Sequence, residues 1–372
     1  MLHNKLTKTM LISFFNQQKS MNFQKKTSLR QEDQTAIIRL TALWALSEAA
    51  MGGVMHLFSL PFTGIFVGGV AVMLIALIAS MTDKPMVDIP RALLVVLIIK
   101  AMVSPHSPVT AYIAVGFQGL MGALLFRFIP SFRAAALLLG VLALMESALQ
   151  KLLTLTLLFG LSLWESLDAF IDYVFKKFGM LAEGVSAQGS WWVVSLYLGL
   201  YLVSGLLVGY LAGRLPAEVR VASEKLVLNF QELSTPSEAT RHSKSRPLWK
   251  RSSFRLGALA LVVFSLAYLL VPSYRNFMDP IWILLRVAGL LVLWYFVLAP
   301  LVMRLLQRFL NKKASDYRQE VAAALSLQPV FRELTRTAWR DTRALSGWRR
   351  WKALVIRTIT YALVYVSNEN NP

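Results

Sequence analysis

Long apolar segments, separated by short polar or proline-rich turns, dominate the first 213 residues of the chain. A helix of about 20 mostly apolar residues can cross the hydrocarbon core of a bilayer. The pattern therefore predicts an all-α, polytopic membrane protein that begins with a six-helix bundle at 36–213. Its six predicted membrane helices are residues 36–60, 64–81, 92–103, 109–129, 132–163 and 191–212.

The remaining segments differ from these spans in periodicity and charge. The third apolar run, 92–103, indicates a short or broken span, or one extended by its flanking residues. Residues 164–180 alternate apolar and charged positions at helical spacing, which is typical of an amphipathic helix at the membrane interface. The basic, Ser- and Thr-rich segment 214–255 predicts a linker, with one short amphipathic helix near 218–233. The last predicted elements are two membrane helices within 256–310 (256–271 and 281–306) and basic amphipathic helices in 311–372, where the apolar run 353–366 leaves a third further span open.

The distribution of basic residues predicts the orientation, because cytosolic loops are enriched in Lys and Arg. Lys25 and Lys26 precede the first span, each even-numbered connection is basic, and the loop 164–188 is acidic. This places the tail 1–35, the linker and the segment 311–351 in the cytosol. The expected location is the cytoplasmic (inner) membrane of a bacterium.

Composition agrees with a membrane protein and excludes several other classes. Hydrophobic residues make up 56% of the 372 residues and charged residues 16%, against about 25% charged in soluble domains. Cysteine is absent, so disulfides, thiolate zinc sites and cysteine nucleophiles are excluded. The net charge of +19 fits the basic bias of cytosolic loops and attraction to anionic lipid. Nothing besides this charge indicates a nucleic-acid partner.

Motifs of common enzymes are missing from the sequence. There is no G-x-x-x-x-G-K-[ST] phosphate loop, no H-E-x-x-H metal motif and no G-x-S-x-G nucleophile turn. We therefore expect no enzymatic activity, no metal site and no cofactor.

Small residues recur every four positions in three predicted spans, the first, the second (Gly64 and Gly68) and the sixth. Ala45, Ala49 and Gly53 form such a row in the first span, and a doubled G-x-x-x-G begins at Gly205 in the sixth. Rows of this kind let two helices approach closely. We expect the first row to contact a partner protein and the glycine rows to indicate a tightly packed bundle.

Polar side chains within the spans are the candidate solute-binding residues. An ionised side chain at mid-membrane costs roughly 2.5–3.5 kcal/mol on insertion scales, and such residues are functional by default expectation. Helical depth places most of them in the outer half of the membrane. The alternative is that Glu48 or Glu146 pairs with Lys100 or Lys151 and only stabilises the bundle. The six candidates are Glu48, Lys100, Gln118, Glu146, Gln150 and Lys151.

The first six helices resemble the substrate-binding S component of an energy-coupling factor (ECF) transporter. The likeness is carried by the six-span unit, its cytosolic N-terminus and the A-x-x-x-A row at Ala45 and Ala49. It implies a vitamin-type solute captured from outside, a transmembrane T component as partner, and separate ATPases. The C-terminal part is vaguely similar to the end of a T component, which implies ATPase docking through Arg336, Arg340 and Arg343.

These observations predict a transport subunit that captures a small polar solute or cofactor precursor from outside and is energised by partner ATPases. The competing hypothesis is a non-transporting membrane scaffold, whose basic C-terminal region recruits a protein or anionic lipid. A metal solute is not favoured, since the metal-specific S-like family has a histidine at the second position and this chain has Leu2.

Overall fold

The structure is a computed structural model, and it describes residues 33–49, 62–104, 107–182, 185–226 and 293–365, together with 287, 289 and 291. Every regular element within these residues is helical and none is a strand, which confirms the all-α prediction. A short π-helical segment, Leu293–Leu298, precedes α8. The helices are α1 (33–49), α2 (Thr63–Ser80), α3 (Pro85–Val103), α4 (Val109–Phe128), α5 (Phe132–Phe159), α6 (Ser162–Lys177), α7 (Gly189–Leu226), α8 (Ala299–Ala314), α9 (Arg318–Asp341) and α10 (Gly347–Val364).

Among the described residues, four helices are long and apolar enough to cross a membrane: α2, α4, α5 and α7. They coincide with four of the six predicted spans of the bundle. α3 has 19 residues, but Asp88, Arg91 and Lys100 make it more polar than these four. The predicted span 256–271 lies outside the described residues. The chain is therefore all-helical, with at least four helices suited to a bilayer.

α1 and α2 lie at the centre of the helix assembly. Residues 40–48 of α1 are all buried, and so are nearly all residues from Ala71 to Ala79 of α2. A helix that is apolar on all sides belongs in the interior of a protein or in a membrane span. α2 packs against α3, α4, α5 and α7, so it positions the polar residues of these helices around a common axis.

α5 and α7 approach each other more closely than ordinary side chains allow. A Cβ built on Gly140 of α5 would lie 2.5 Å from the carbonyl oxygen of Gly205 and 2.6 Å from the nitrogen of Gly209. A Cβ on Gly213 would lie 3.3 Å from the Cα of Arg133. The doubled G-x-x-x-G of the sequence therefore forms the contact surface for α5, where backbone meets backbone.

Two helices extend beyond their predicted limits. α3 begins at Pro85, which suits the first turn of a helix because its missing N–H needs no partner there. The helix over the third apolar run is thus extended by its flanking residues, although α3 is not among the four helices suited to crossing a membrane. α7 continues through the first part of the predicted linker, because Leu215 and Val219 are buried where α7 packs against α10.

The C-terminal helices pack onto the bundle. The guanidinium of Arg39 in α1 donates to the carbonyl oxygen of Leu363 at the end of α10, at 2.5 Å. α9 and α10 are joined by a hydrogen bond from the Tyr361 hydroxyl to the Asp341 carboxylate, at 2.6 Å. Partial burial, with this carboxylate as acceptor, raises the pKa of Tyr361 to about 12. The hydroxyl therefore keeps its proton at neutral pH and the link persists.

The acidic residues of α6 bind the beginning of α7. Asp168 accepts hydrogen bonds from the backbone N–H of Ser190 at 2.6 Å and from its hydroxyl at 2.9 Å. Asp172 accepts from the backbone N–H of Ala187 at 2.7 Å. Carboxylates satisfy the N–H groups that a helix start leaves unpaired. The acids that the sequence analysis used as an orientation signal thus also fix the α6–α7 connection.

Candidate functional site

Most of the predicted solute-binding residues lie toward one end of the bundle, which we call the polar end. It is the end at which α2, α4 and α7 begin and α3 and α5 finish. The opposite, basic end carries Arg127, Arg133 and Arg214 at the turns and the continuation of α7. Polar side chains of α1, α3, α4, α5 and α7 therefore lie within one half of the assembly.

Glu48 of α1 and Lys100 of α3 form a buried ion pair. Lys100 Nζ lies 2.7 Å from Glu48 Oε2, and the two side chains are only 5% and 2% exposed. Burial at this level removes water from both charges, so each needs the other. The arrangement supports the stabilising alternative for this pair, and their contact with a solute stays a prediction.

Tyr112 and Gln118 of α4 are buried with polar atoms that have no partner. The Lys100 ammonium lies 6.0 Å from the centre of the Tyr112 ring, while the Tyr112 hydroxyl has no hydrogen-bond partner among the described residues. Gln118 is 3% exposed, and within the described part of the chain its Oε1 also lacks a partner. Buried polar groups are normally hydrogen-bonded, so these two atoms require an explanation.

Two glycines of α2 bring the polar residues of its neighbours close. A Cβ on Gly68 would lie 3.3 Å from Nε2 of Gln118, and a Cβ on Gly64 would lie 3.6 Å from the Tyr201 hydroxyl of α7. A Cβ on Gly64 would also lie 3.1 Å from the Cβ of Ser147 in α5. Because Gly64 and Gly68 are one helical turn apart, these side chains occupy successive layers around α2.

Glu146 and Gln150 of α5 share a face next to α4. Gln150 Nε2 donates to the carbonyl oxygen of Thr110 at 3.1 Å. Glu146 lies one turn deeper, and its buried Oε2 has no partner in the described residues. Thr110 and Gln118 are eight residues apart, about 12 Å along α4. We call Tyr112, Gln118, Glu146, Gln150 and Tyr201 the polar cluster. It therefore reaches from the beginning of α4 toward mid-depth.

Lys151 does not belong to this cluster. Its side chain is exposed on the surface of α5, one residue beyond Gln150 and therefore about 100° away around the helix. A long lysine side chain at such a position extends its ammonium toward water. The structure thus brings the other five candidates toward the polar end, whereas Lys151 lies on the exposed surface of α5 and not in the polar cluster.

The predicted partner-contact residues have different surroundings. Ala45 is fully buried by this chain, so a partner could reach it only by displacing a helix; Ala49 is half-buried, and Gly53 lies outside the described residues. Arg336 and Arg340 of α9 are exposed, as is Arg343 just after it, and Arg336 pairs with Glu333 at 3.2 Å. Partner contact stays a prediction for Ala45, Ala49, Gly53, Arg336, Arg340 and Arg343.

Sequence reasoning missed the tyrosines of the polar cluster. The sequence analysis does not single out Tyr112 or Tyr201, although each hydroxyl needs a partner when buried. Tyr197 precedes Tyr201 by one turn, and their ring centres are 4.8 Å apart. A tyrosine ladder inside an apolar span was the available signal.

Two surface cavities lie away from the polar cluster. One of about 330 Å³ lies between α5, α6 and α7, lined in part by Thr156, Trp164 and Ser190. The other, of about 230 Å³, lies at the basic end beside Thr82 and Arg127. Neither of these two cavities is lined by a predicted solute-binding residue.

Gln118→Leu tests whether the buried amide stabilises the fold. Leucine has a similar volume and carries no polar atom, while an unsatisfied buried group costs about 1–3 kcal/mol. We expect thermal unfolding of the full chain in detergent to be unchanged, or the free energy of unfolding to rise by up to that amount. A clear loss of stability would mean that the amide has a structural role.

Comparison of the chain with protein-family profiles, curated proteins and solved structures finds no match. The arrangement of side chains is therefore the basis for a functional assignment.

Proposed function

We propose that this chain is the solute-binding subunit of a membrane transporter and captures a small polar solute at the polar end of its bundle. The observation that carries the proposal is the pair of buried acceptor oxygens, Gln118 Oε1 and Glu146 Oε2, that have no hydrogen-bond partner among the described residues. Stability alone disfavours such atoms. A bound solute with N–H or O–H groups would satisfy both.

Charge narrows the class of solute. The Lys100 ammonium is already paired with Glu48, whereas the Glu146 carboxyl has an unpaired oxygen. A solute with an amine or several hydroxyls therefore fits better than an anionic one. The Tyr112 hydroxyl adds a group that both donates and accepts.

The direction and energy source of transport follow from the sequence. The basic bias of the loops puts the N-terminus in the cytosol and the polar end outside, in the inner membrane of a bacterium. The predicted six-helix bundle would surround the site. Energy would come from partner ATPases, as the S-component resemblance implies, since no phosphate loop occurs in this chain.

Affinity selection tests this proposal. Detergent-solubilised full-length protein is incubated with a polar-metabolite extract and separated by size exclusion, and retained small molecules are identified by mass spectrometry. We expect the wild type to retain a solute that the Gln118→Leu/Glu146→Gln double variant retains at least tenfold less. Loss of a hydrogen bond to a charged group costs roughly 1.5–3 kcal/mol, which is tenfold or more.

Glu165→Gln is the matched control, because Glu165 is an exposed carboxylate of α6 outside the polar cluster. It should retain the same solute as the wild type. If wild type and double variant retain identical sets of molecules, the solute-binding proposal is wrong. The scaffold hypothesis, with the basic C-terminal helices recruiting a partner, would then replace it.

A further inference from the structure

An exposed patch of tryptophan and arginine lies where α9 turns into α10. Trp339 is 41% exposed and Trp351 is 58% exposed, although their ring centres are only 6.0 Å apart in an edge-to-face arrangement. The guanidinium of Arg350 lies 4.3 Å from the centre of the Trp339 ring. Together with Arg343 and Arg349, these residues form the α9–α10 corner.

The positive charges of the α9–α10 corner are not neutralised within the described residues. Arg343 and Arg349 are exposed, and neither forms an ion pair in the described part of the chain. The nearby Asp341 accepts the Tyr361 hydroxyl through its carboxylate. The corner therefore presents cationic groups next to exposed aromatic rings.

An ion pair positions the corner relative to the bilayer. Lys352, which follows Trp351, lies with its Nζ 2.6 Å from Oε1 of Glu218 in α7. The apolar part of α7 ends at Ala212, six residues earlier, which is about 9 Å along a helix. The headgroup layer on each side of a bilayer is roughly 5–8 Å thick. The α9–α10 corner thus lies at the depth of the lipid headgroups or just beyond.

We propose that the α9–α10 corner binds the headgroups of anionic phospholipids at the membrane surface. Tryptophan prefers the interface, where its ring meets the acyl boundary and its N–H meets water. Arginine contacts phosphate with two parallel hydrogen bonds. The corner combines both at one depth, and this inference does not rest on the proposed solute site.

An acidic protein partner is the competing occupant of the corner. The observations favour lipid because two indole rings are exposed at headgroup depth, in a chain with four helices suited to a bilayer. A purely electrostatic partner would need the arginines and would not need the rings. The experiment below separates the two.

A single fluorescent label can report on this corner, because the chain contains no cysteine. Ser346 is exposed between Arg343 and Arg349, so Ser346→Cys carries an environment-sensitive dye on the full-length protein in neutral detergent. Phosphatidylglycerol, phosphatidylcholine and inorganic phosphate are titrated separately. We expect saturable binding of phosphatidylglycerol only. Arg343→Gln/Arg349→Gln should weaken phosphatidylglycerol binding roughly 30-fold, since each of the two arginines contributes a similar factor to attraction at an anionic surface.

Lys176→Gln/Lys177→Gln is the matched control, because it removes two exposed charges from α6, far along the chain from the corner. It should bind phosphatidylglycerol like the labelled parent, while Trp351→Ala should bind it more weakly. Equal responses to both phospholipids, or phosphatidylglycerol binding that the double arginine variant leaves unchanged, would overturn the proposal. A response to inorganic phosphate equal to that for phosphatidylglycerol would assign the corner to free anions. If Trp351→Ala left phosphatidylglycerol binding unchanged, the rings would not be needed, and an acidic protein would be the favoured occupant.

Discussion

Gly209→Ala is expected to destabilise the protein by about 1–3 kcal/mol, the usual cost of inserting a methyl group into a fully packed contact. A Cβ at this position would lie 2.6 Å from the Cα of Leu137 and 2.8 Å from the carbonyl oxygen of Ala136. Both are backbone atoms, so no side chain can rotate away. The helices α5 and α7 would have to separate, and thermal unfolding in detergent measures the loss.

Gly199→Ala provides the matched control on the same helix. A Cβ on Gly199 meets nothing within 4 Å in the described structure, and alanine favours a helix by about 1 kcal/mol over glycine. We expect unchanged or slightly higher stability. If Gly209→Ala behaved like Gly199→Ala, the close contact between α5 and α7 would be wrong.

The second large effect concerns the buried pair of Glu48 and Lys100. Glu48→Leu or Lys100→Met alone should each destabilise the protein by about 3–5 kcal/mol, because either change leaves one buried charge without a partner. Replacing both with apolar residues of similar size, as in Glu48→Leu/Lys100→Met, should restore most of the stability. Unfolding of the four proteins in detergent forms a double-mutant cycle.

The same cycle separates a stabilising pair from a solute-binding one. A stable Glu48→Leu/Lys100→Met variant that still retains solute would assign the pair to the fold alone. Retention lost in a stable double variant would instead show that the pair contacts the solute. If either single variant were as stable as the wild type, the buried ion pair of the structure would be contradicted.

Much of the fold could be predicted from the sequence because apolar length and glycine spacing are local signals. The spans at α2, α4, α5 and α7 follow from runs of apolar residues. The row Gly205, Gly209 and Gly213 predicted a close helix contact. Its partner could not be predicted, because Gly140 is a single small residue within a long apolar helix and gains meaning only from α7 opposite.

The sequence named the candidate side chains and left open whether Glu48 or Glu146 pairs with Lys100 or Lys151. Depth estimates placed Glu146 and Gln150 toward one end of the bundle and Gln118 near mid-depth. Glu48 and Lys100 are 52 residues apart, and their contact depends on how α1 lies against α3. The exposure of Lys151 likewise depends on which face of α5 its neighbours cover.

The sequence by itself determined a helical fold with helices long and apolar enough to cross a membrane, because hydrophobic length is a local property of the chain. Only the tertiary structure decided that Glu48 binds Lys100, that Gly140 faces Gly209, and that α7 extends to hold α10. These are contacts between distant segments, which depend on helix rotation and packing. The structure also shows that the buried oxygens of Gln118 and Glu146 have no hydrogen-bond partner within the described residues. These two oxygens carry the proposed function.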